Sequence, residues 1–215
     1  GVPGVESANV LIIGGGVVGS NALKIAVGME ANVTVVDKSL DTLRRLDEIY
    51  ANRIQTIYST QETIETCALN ADLIIGAVLI PGAAAPKLVS ADLIKSMKPG
   101  SVVVDVAIDQ GGCFETSKAT THDNPTYIVD DVVHYCVANM PGAVAKTSAI
   151  ALNHATLPFV LELANKGTVK ALQSNPHLFE GLNVWKGQVT NEHIANQHGY
   201  EFNAIDPSQL NVNTH

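Results

Sequence analysis

Gly14-Gly15-Gly16-Val17-Val18-Gly19 has GxGxxG spacing. In such a run Gly14 permits a tight turn, Gly16 lets the backbone approach a diphosphate, and Gly19 lets the following helix pack close to the preceding strand. Free N–H groups at the helix start then bind the phosphates. The spacing alone also fits a merely flexible strand-to-helix turn. Asp37, eighteen residues after Gly19, adds the missing partner. A carboxylate at the end of a second strand accepts hydrogen bonds from both hydroxyls of an adenosine ribose and repels a 2′-phosphate, so it favours NAD over NADP. Lys38 beside it softens that discrimination slightly. Strand, glycines, helix, second strand and acid in that order point to dinucleotide binding.

Two further stretches could carry chemistry. In Asp105-Val106-Ala107-Ile108-Asp109-Gln110-Gly111-Gly112, Asp109 lies just past a strand, where ligands of open parallel sheets bind, and Asp105 lies within the strand or at its edge. Asp109 reads equally well as a turn residue holding the Gly111-Gly112 bend. Asn139, in Val137-Ala138-Asn139-Met140-Pro141-Gly142, could hydrogen-bond a carboxamide or substrate, yet it is also an ordinary turn residue. The seven histidines offer no pair at metal-ligand spacing beside an acid or cysteine, and His154 reads as a core histidine, so no metal is expected. Glu162 and Lys166 suit a surface ion pair. Neither a Gly-x-Ser-x-Gly elbow nor a Walker lysine is present.

These residues need elements to hold them. Asn9–Ile13 is an apolar run ending in three glycines, as a buried parallel strand does. In Val18–Met29, Ala22, Ile25, Ala26 and Met29 share one helical face. Asn32–Val36 is a second strand, and Leu40, Leu43, Leu46 and Ile49 mark a second helix with Arg44, Arg45, Asp47 and Glu48 on its wet side. Ile54–Tyr58, Leu73–Leu79 and Val102–Val106 are further strands, separated by helices at Glu62–Leu69 and Ser90–Met97. That alternation predicts right-handed βαβ units and a parallel sheet covered on both faces. Tyr127–Asp130 and His134–Ala138 form a last extended stretch. Thr147–Asn165 is one long apolar helix, kinked at Pro158 and stopped by Gly167. After Lys170 come short helical pieces, Lys170–Ser174 and Asn191–Gln197, in a tail with no sheet of its own.

The 215 residues are 46% apolar and 16% charged, enough to bury a core. A net charge of −8 argues against nucleic acid or an anionic membrane surface as partner. The apolar runs are too short to span a bilayer, and the N-terminus has no secretory pattern. Cys67, Cys113 and Cys136 form no CxxC pair and read as reduced, buried thiols, hence a cytoplasmic protein. The chain starts Gly1-Val2-Pro3 without an initiator methionine, as the back part of a longer polypeptide would.

Longer stretches carry a resemblance. The opening GVPGV, GGGVVGSNALKIAVGMEANVTVVD, IGAVLIPGAAAPKLV, VVDVAIDQGGCFE and HYCVANMPGAVAKTSAIALNHATLPFVLELANKG closely resemble the L-alanine dehydrogenase family, from Gly1 to about Gly199. The IDQGGCFE and VANMPGAVAKTS segments are far more specific than the glycine fingerprint. The related proton-translocating transhydrogenase subunit shares the fold and differs after the last strand.

The resemblance implies oxidative deamination, in which L-alanine, NAD and water give pyruvate, ammonium and NADH. The implied path is hydride transfer from the alanine α-carbon to the nicotinamide, addition of water to the resulting imine, and proton transfers that release ammonia. By the same resemblance Asp109 is the acid/base residue. Gly14, Gly16, Val17, Val18, Gly19, Asp37 and Ser59 hold the adenosine end, and Val78 and Leu79 border the cofactor. Val106, Ala107, Ile108 and Asp109 line the nicotinamide side, which Val137, Ala138, Asn139 and Met140 close. Lys118 matches a basic position that reaches the cofactor, and Thr42 stands where relatives often carry a basic residue. The family's substrate arginine, catalytic lysine and catalytic histidine belong to a segment preceding Gly1. The expected architecture is therefore α/β: a doubly wound Rossmann-type parallel sheet, residues 1–145, then a helical segment of an incomplete substrate domain, residues 146–215. The expected chain binds NAD, does not turn over alanine alone, and belongs to a homo-hexamer with the long helix as a plausible interface. A non-catalytic NAD-binding module and a transhydrogenase-like or opine-type oxidoreductase are the alternatives.

Overall fold

A computed structural model describes residues 1–78 and 84–211. The chain divides into two compact units, Gly1–Met140 and Pro141–His215. The first contains β1 (Asn9–Ile13), α1 (Val17–Gly28), β2 (Asn32–Asp37), α2 (Leu40–Tyr50), β3 (Ile54–Tyr58), α3 (Gln61–Asn70) and β4 (Leu73–Gly76). It continues with α4 (Ala91–Ser96), β5 (Val102–Asp105), β6 (Thr126–Val129) and β7 (Val132–Tyr135). The second contains α5 (Ala145–Lys166), α6 (Thr168–Ser174), α7 (Pro176–Glu180), β8 (Val184–Trp185), β9 (Gln188–Val189) and α8 (Glu192–His198).

The first unit is a seven-stranded sheet in the order β3-β2-β1-β4-β5-β7-β6. The strands from β3 to β7 in that order pair in parallel, and β6 pairs antiparallel at the edge. Strand alternation sorts the core into two layers. Leu11 and Ile13 of β1 pack with Ile64, Ala68, Leu93 and Ile94 of α3 and α4. Val10 and Ile12 pack with Leu23, Val27 and Leu46 of α1 and α2. The sheet is therefore doubly wound, with β1 buried on both faces.

The helices begin where their caps dictate. Ser39 Oγ accepts from the Thr42 N–H, Thr60 and Thr63 form a reciprocal capping box, and Ser90 Oγ accepts from the Leu93 N–H. Two buried faces differ from expectation. On α1 the buried row is Gly19, Leu23 and Val27, while Ile25 and Met29 are 65% and 70% exposed. Gly19 is the residue that touches the β1 loop, and the row four residues apart from it must follow it onto the sheet. On α2, Leu43 and Leu46 are buried and Leu40 and Ile49 are exposed. Leu40 is the first helical residue after the cap, at the carboxyl rim and above the core.

The last extended stretch is a hairpin. Asp130 and Asp131 have φ of 49° and 60°, which suits the two-residue turn whose twist matches antiparallel strands. The tail also corrects an expectation, because β8 and β9 pair as a small antiparallel sheet. Lys186 and Gly187, with φ of 49° and 82°, form its turn. In the second unit α5 runs through Pro158 and is capped by Gly167. Glu162 accepts from Lys166 at 2.7 Å and from Asn175 at 2.7 Å, tying the end of α5 to the start of α7. No helix among the described residues is long and apolar enough to cross a membrane.

Candidate functional site

The carboxyl ends of the parallel strands form one rim, and every loop singled out above leaves from it. The strand order reverses direction between β1 and β4, the switch point where a crevice opens in doubly wound sheets. A cleft of about 440 Å³ lies there, lined by the glycine loop, Asp37, Lys38, Ser59, Ala77, Val78, Pro86 and Leu88. Its size suits part of a dinucleotide. A larger cavity, about 690 Å³, lies at the amino-terminal ends of β1 and β2 beside β3 and α3, away from these loops.

Each glycine of the fingerprint has a different physical reason. Gly14 has φ +99°, and a Cβ there would lie 2.8 Å from the Ala77 carbonyl oxygen. A Cβ on Gly19 would overlap the carbonyl oxygen of Gly14. Gly16, the N-cap of α1, has φ −66° and makes no side-chain cap; among the described residues a Cβ there would meet nothing within 4 Å. The fold requires Gly14 and Gly19. Nothing among the described residues requires Gly16, and the space beside it is open enough for a closely approaching group. The first turn of α1 carries no acidic residue, so its N–H groups keep their positive end for an anion.

Asp37 ends β2 and is half-buried. Its Oδ2 accepts from the Gly15 N–H and its Oδ1 from the Ser39 N–H, both at 2.7 Å. A carboxylate has about four acceptor sites, so two remain beyond the bonds to described residues. Asp37 thus clamps the glycine loop as well as facing the cleft. Ser59, buried just past β3, donates its N–H to the Asp37 carbonyl. Arg45 Nη2 donates to the Gly15 carbonyl at 3.3 Å. That contact was not legible in the sequence, where Arg45 reads as a solvated helix residue; its place one turn after Thr42 is the only signal.

Val78 lines the cleft, and Leu79 lies outside the described residues. Val106 continues β5, its N–H bonded to the Gly76 carbonyl. Ala107 and Ile108 are buried, and Asp109 is exposed in the single helical turn Ile108–Gln110. Val137 is buried and Ala138 exposed, past β7 on the same rim. Asn139 has φ +55° and Met140 begins the turn 140–144. The positive φ of Asn139 favours its turn role. Neither the Val106–Asp109 loop nor the Val137–Met140 loop lines the 440 Å³ cleft; each follows a neighbouring strand. Lys118 is exposed, its N–H donating to the Tyr127 hydroxyl at 2.7 Å, and it is not among the cleft residues.

Behind the rim is a buried polar cluster. Burial, with the Asp105 charge second, pushes the Cys113 thiol well up, and burial followed by the Cys136 contact raises Tyr127. Burial lowers His134. Its Nδ1 faces the Val132 carbonyl, which only accepts, so the ring carries its proton there and Nε2 accepts from the Thr116 hydroxyl. Cys113 therefore supplies no thiolate at neutral pH. Among the described residues no group of three or more His, Cys, Asp or Glu could hold a metal ion.

Residues 1–192 match the family model described as alanine dehydrogenase/PNT, C-terminal domain. The chain is 60% identical over 202 residues to the alanine dehydrogenase of Halomonas elongata, covering 94% of this chain and 54% of that protein. A solved L-alanine dehydrogenase superposes with a TM-score of 0.84 at 49% identity, over 91% of this chain and 54% of that one. The transhydrogenase of Sinorhizobium meliloti is more distant, with a TM-score of 0.67 and 26% identity over 79% of this chain and 47% of that one. The chain spans about half the length of the curated relatives it matches.

Proposed function

This chain belongs to the alanine dehydrogenase/PNT family through its C-terminal domain, and from that premise we propose that it is the NAD-binding part of an NAD-dependent L-alanine dehydrogenase. The reaction is the reversible oxidative deamination of L-alanine to pyruvate and ammonium. Residues 1–145 act as the NAD-binding domain and residues 146–215 as a helical part of the substrate domain. The observation that carries this reading is the open space at Gly16 between two glycines that the fold itself needs.

When bound, NAD supplies the hydride acceptor for the alanine α-carbon. The chain's own residues bind, orient and move protons. The N–H groups of Gly16, Val17, Val18 and Gly19 hold the diphosphate. The two acceptor sites left on Asp37 take the adenosine ribose hydroxyls, with Gly14, Ser59, Val78 and Leu79 around them. Val106, Ala107 and Ile108 border the nicotinamide side, Val137, Ala138, Asn139 and Met140 close it, and Lys118 reaches the cofactor from its own loop. Asp109, exposed on the same rim, exchanges the protons that water addition and ammonia release require.

Two observations support a homo-hexameric, cytoplasmic protein. Apolar side chains of α5, including Leu152 and Val160, are exposed, as a subunit interface would need, and the cysteines are free thiols. The test is alanine-dependent NADH formation by the protein that carries this chain. Turnover that collapses in Asp109→Asn while NADH affinity is kept supports the assignment, and turnover untouched by that substitution removes Asp109 from the reaction.

A further inference from the structure

We propose that Asp105 is a positioning residue, whose buried carboxylate ties together the two ends of the loop that carries Asp109. The inference rests on the acid/base reading of Asp109. Asp105 ends β5 and is fully buried. Its Oδ1 accepts from the Ala107 N–H at 3.1 Å, where the loop leaves the strand. Its Oδ2 accepts from the N–H groups of Cys113 at 2.9 Å and Phe114 at 3.4 Å, where the loop returns, and from Ser117 Oγ at 2.5 Å. Asp109 lies between those anchors, exposed and without a described side-chain partner of its own.

Other contacts fit the same purpose. Gly112 has φ +77°, and a Cβ there would lie 2.5 Å from Asp105 Oδ2, so the glycine is what lets the carboxylate reach the returning backbone. Lys87 Nζ donates to the carbonyls of Gly111 at 2.6 Å and Phe114 at 3.1 Å, and the Ala85 N–H to Gln110 at 2.9 Å. The loop is therefore held from inside by an anion on its N–H groups and from outside by a cation on its carbonyls. All of the backbone and hydroxyl partners of Asp105 are donors. An asparagine would turn one acceptor oxygen into a donor facing another buried N–H, which leaves both unsatisfied. A shift of about 1 Å in a reacting group costs about 100-fold in rate.

A merely structural carboxylate would move stability, cofactor binding and turnover together. A positioning carboxylate acts through Asp109, and the glycine loop and Asp37 sit on other strands. The experiment is a double-mutant cycle in the protein that carries this chain, reading kcat, alanine KM and NADH Kd. Asp105→Asn is expected to lower kcat at least about tenfold with NADH Kd within about threefold, and to cost nothing further in the Asp109→Asn background. Ser117→Ala keeps the three N–H bonds and the fold, and is expected to lower kcat about two- to fivefold, again only when Asp109 is present. Equal losses in both backgrounds, or kcat within twofold for Asp105→Asn while Asp109→Asn is crippled, overturn the proposal. Full activity in Asp109→Asn overturns the reading of Asp109 instead.

Discussion

Gly16→Ala separates ligand from fold. The residue has φ −66°, which alanine adopts freely, and a new Cβ meets nothing within 4 Å among the described residues. Losing glycine at an N-cap costs about 0.5–1 kcal/mol, while the less flexible unfolded chain returns about 0.4–1 kcal/mol. Stability should therefore stay within about 0.5 kcal/mol, and the melting temperature of a domain this size within about 2 °C. A diphosphate bound where we propose would, in contrast, meet the methyl group directly. Displacing it from one charge-assisted N–H bond, worth about 1.5–3 kcal/mol, weakens NADH binding roughly 10- to 100-fold at 1.4 kcal/mol per decade. Gly19→Ala, whose Cβ overlaps the Gly14 carbonyl oxygen, should instead damage stability and binding together. Fluorescence titration with NADH and thermal melting of both variants give the answer. An unchanged dissociation constant in Gly16→Ala refutes the placement of the diphosphate.

Asp37→Ala should weaken NADH binding by about 1–3 kcal/mol, from lost ribose hydrogen bonds, and lower the melting temperature, because the Gly15 and Ser39 N–H groups lose their acceptor. Calorimetry with unchanged affinity would take Asp37 out of the ribose site. Burial holds His134 below the usual imidazole value, so below about pH 6.5 the unfolded chain binds a proton that the folded chain does not. Stability should therefore fall as pH drops through that point, and His134→Asn should flatten this part of the profile in urea melts; an identical slope would show that His134 is not responsible. Asp72 is held below the carboxylate range by the Asn9 N–H and then by Lys98. Its contribution is present above about pH 4 and lost below it, and Asp72→Asn should remove that acid step from the same melts.

The sequence made the glycine loop and Asp37 legible because each sits where one local contact leaves little choice. Gly19 faces the Gly14 carbonyl and Asp37 accepts from the Gly15 N–H, both within the β1-α1-β2 unit, whereas the Ala77 carbonyl that Gly14 faces comes from beyond β4. The strands were legible because β1 and β4 are apolar on both faces and β2 is a β-branched run. The helix faces were not, since Ile25 and Met29 satisfy a helical period as well as Leu23 and Val27 do, and only the contact at Gly19 decides between them. Lys186-Gly187 and Asp130-Asp131 are not legible as hairpin turns because the flanking strands are short. The Asp105 cluster depends on chain returning at Cys113 and Ser117, and Arg45 depends on α2 lying beside the glycine loop. Neither proximity has a sequence spacing of its own.

Calorimetric titration of this chain with NAD, and in parallel with NADP, tests the central claim most directly. The account predicts saturable one-to-one binding of NAD below about 1 mM, with at least about tenfold weaker binding of NADP because its 2′-phosphate meets the Asp37 carboxylate. A folded sample that shows no saturation by NAD at millimolar concentration, or that prefers NADP, contradicts it.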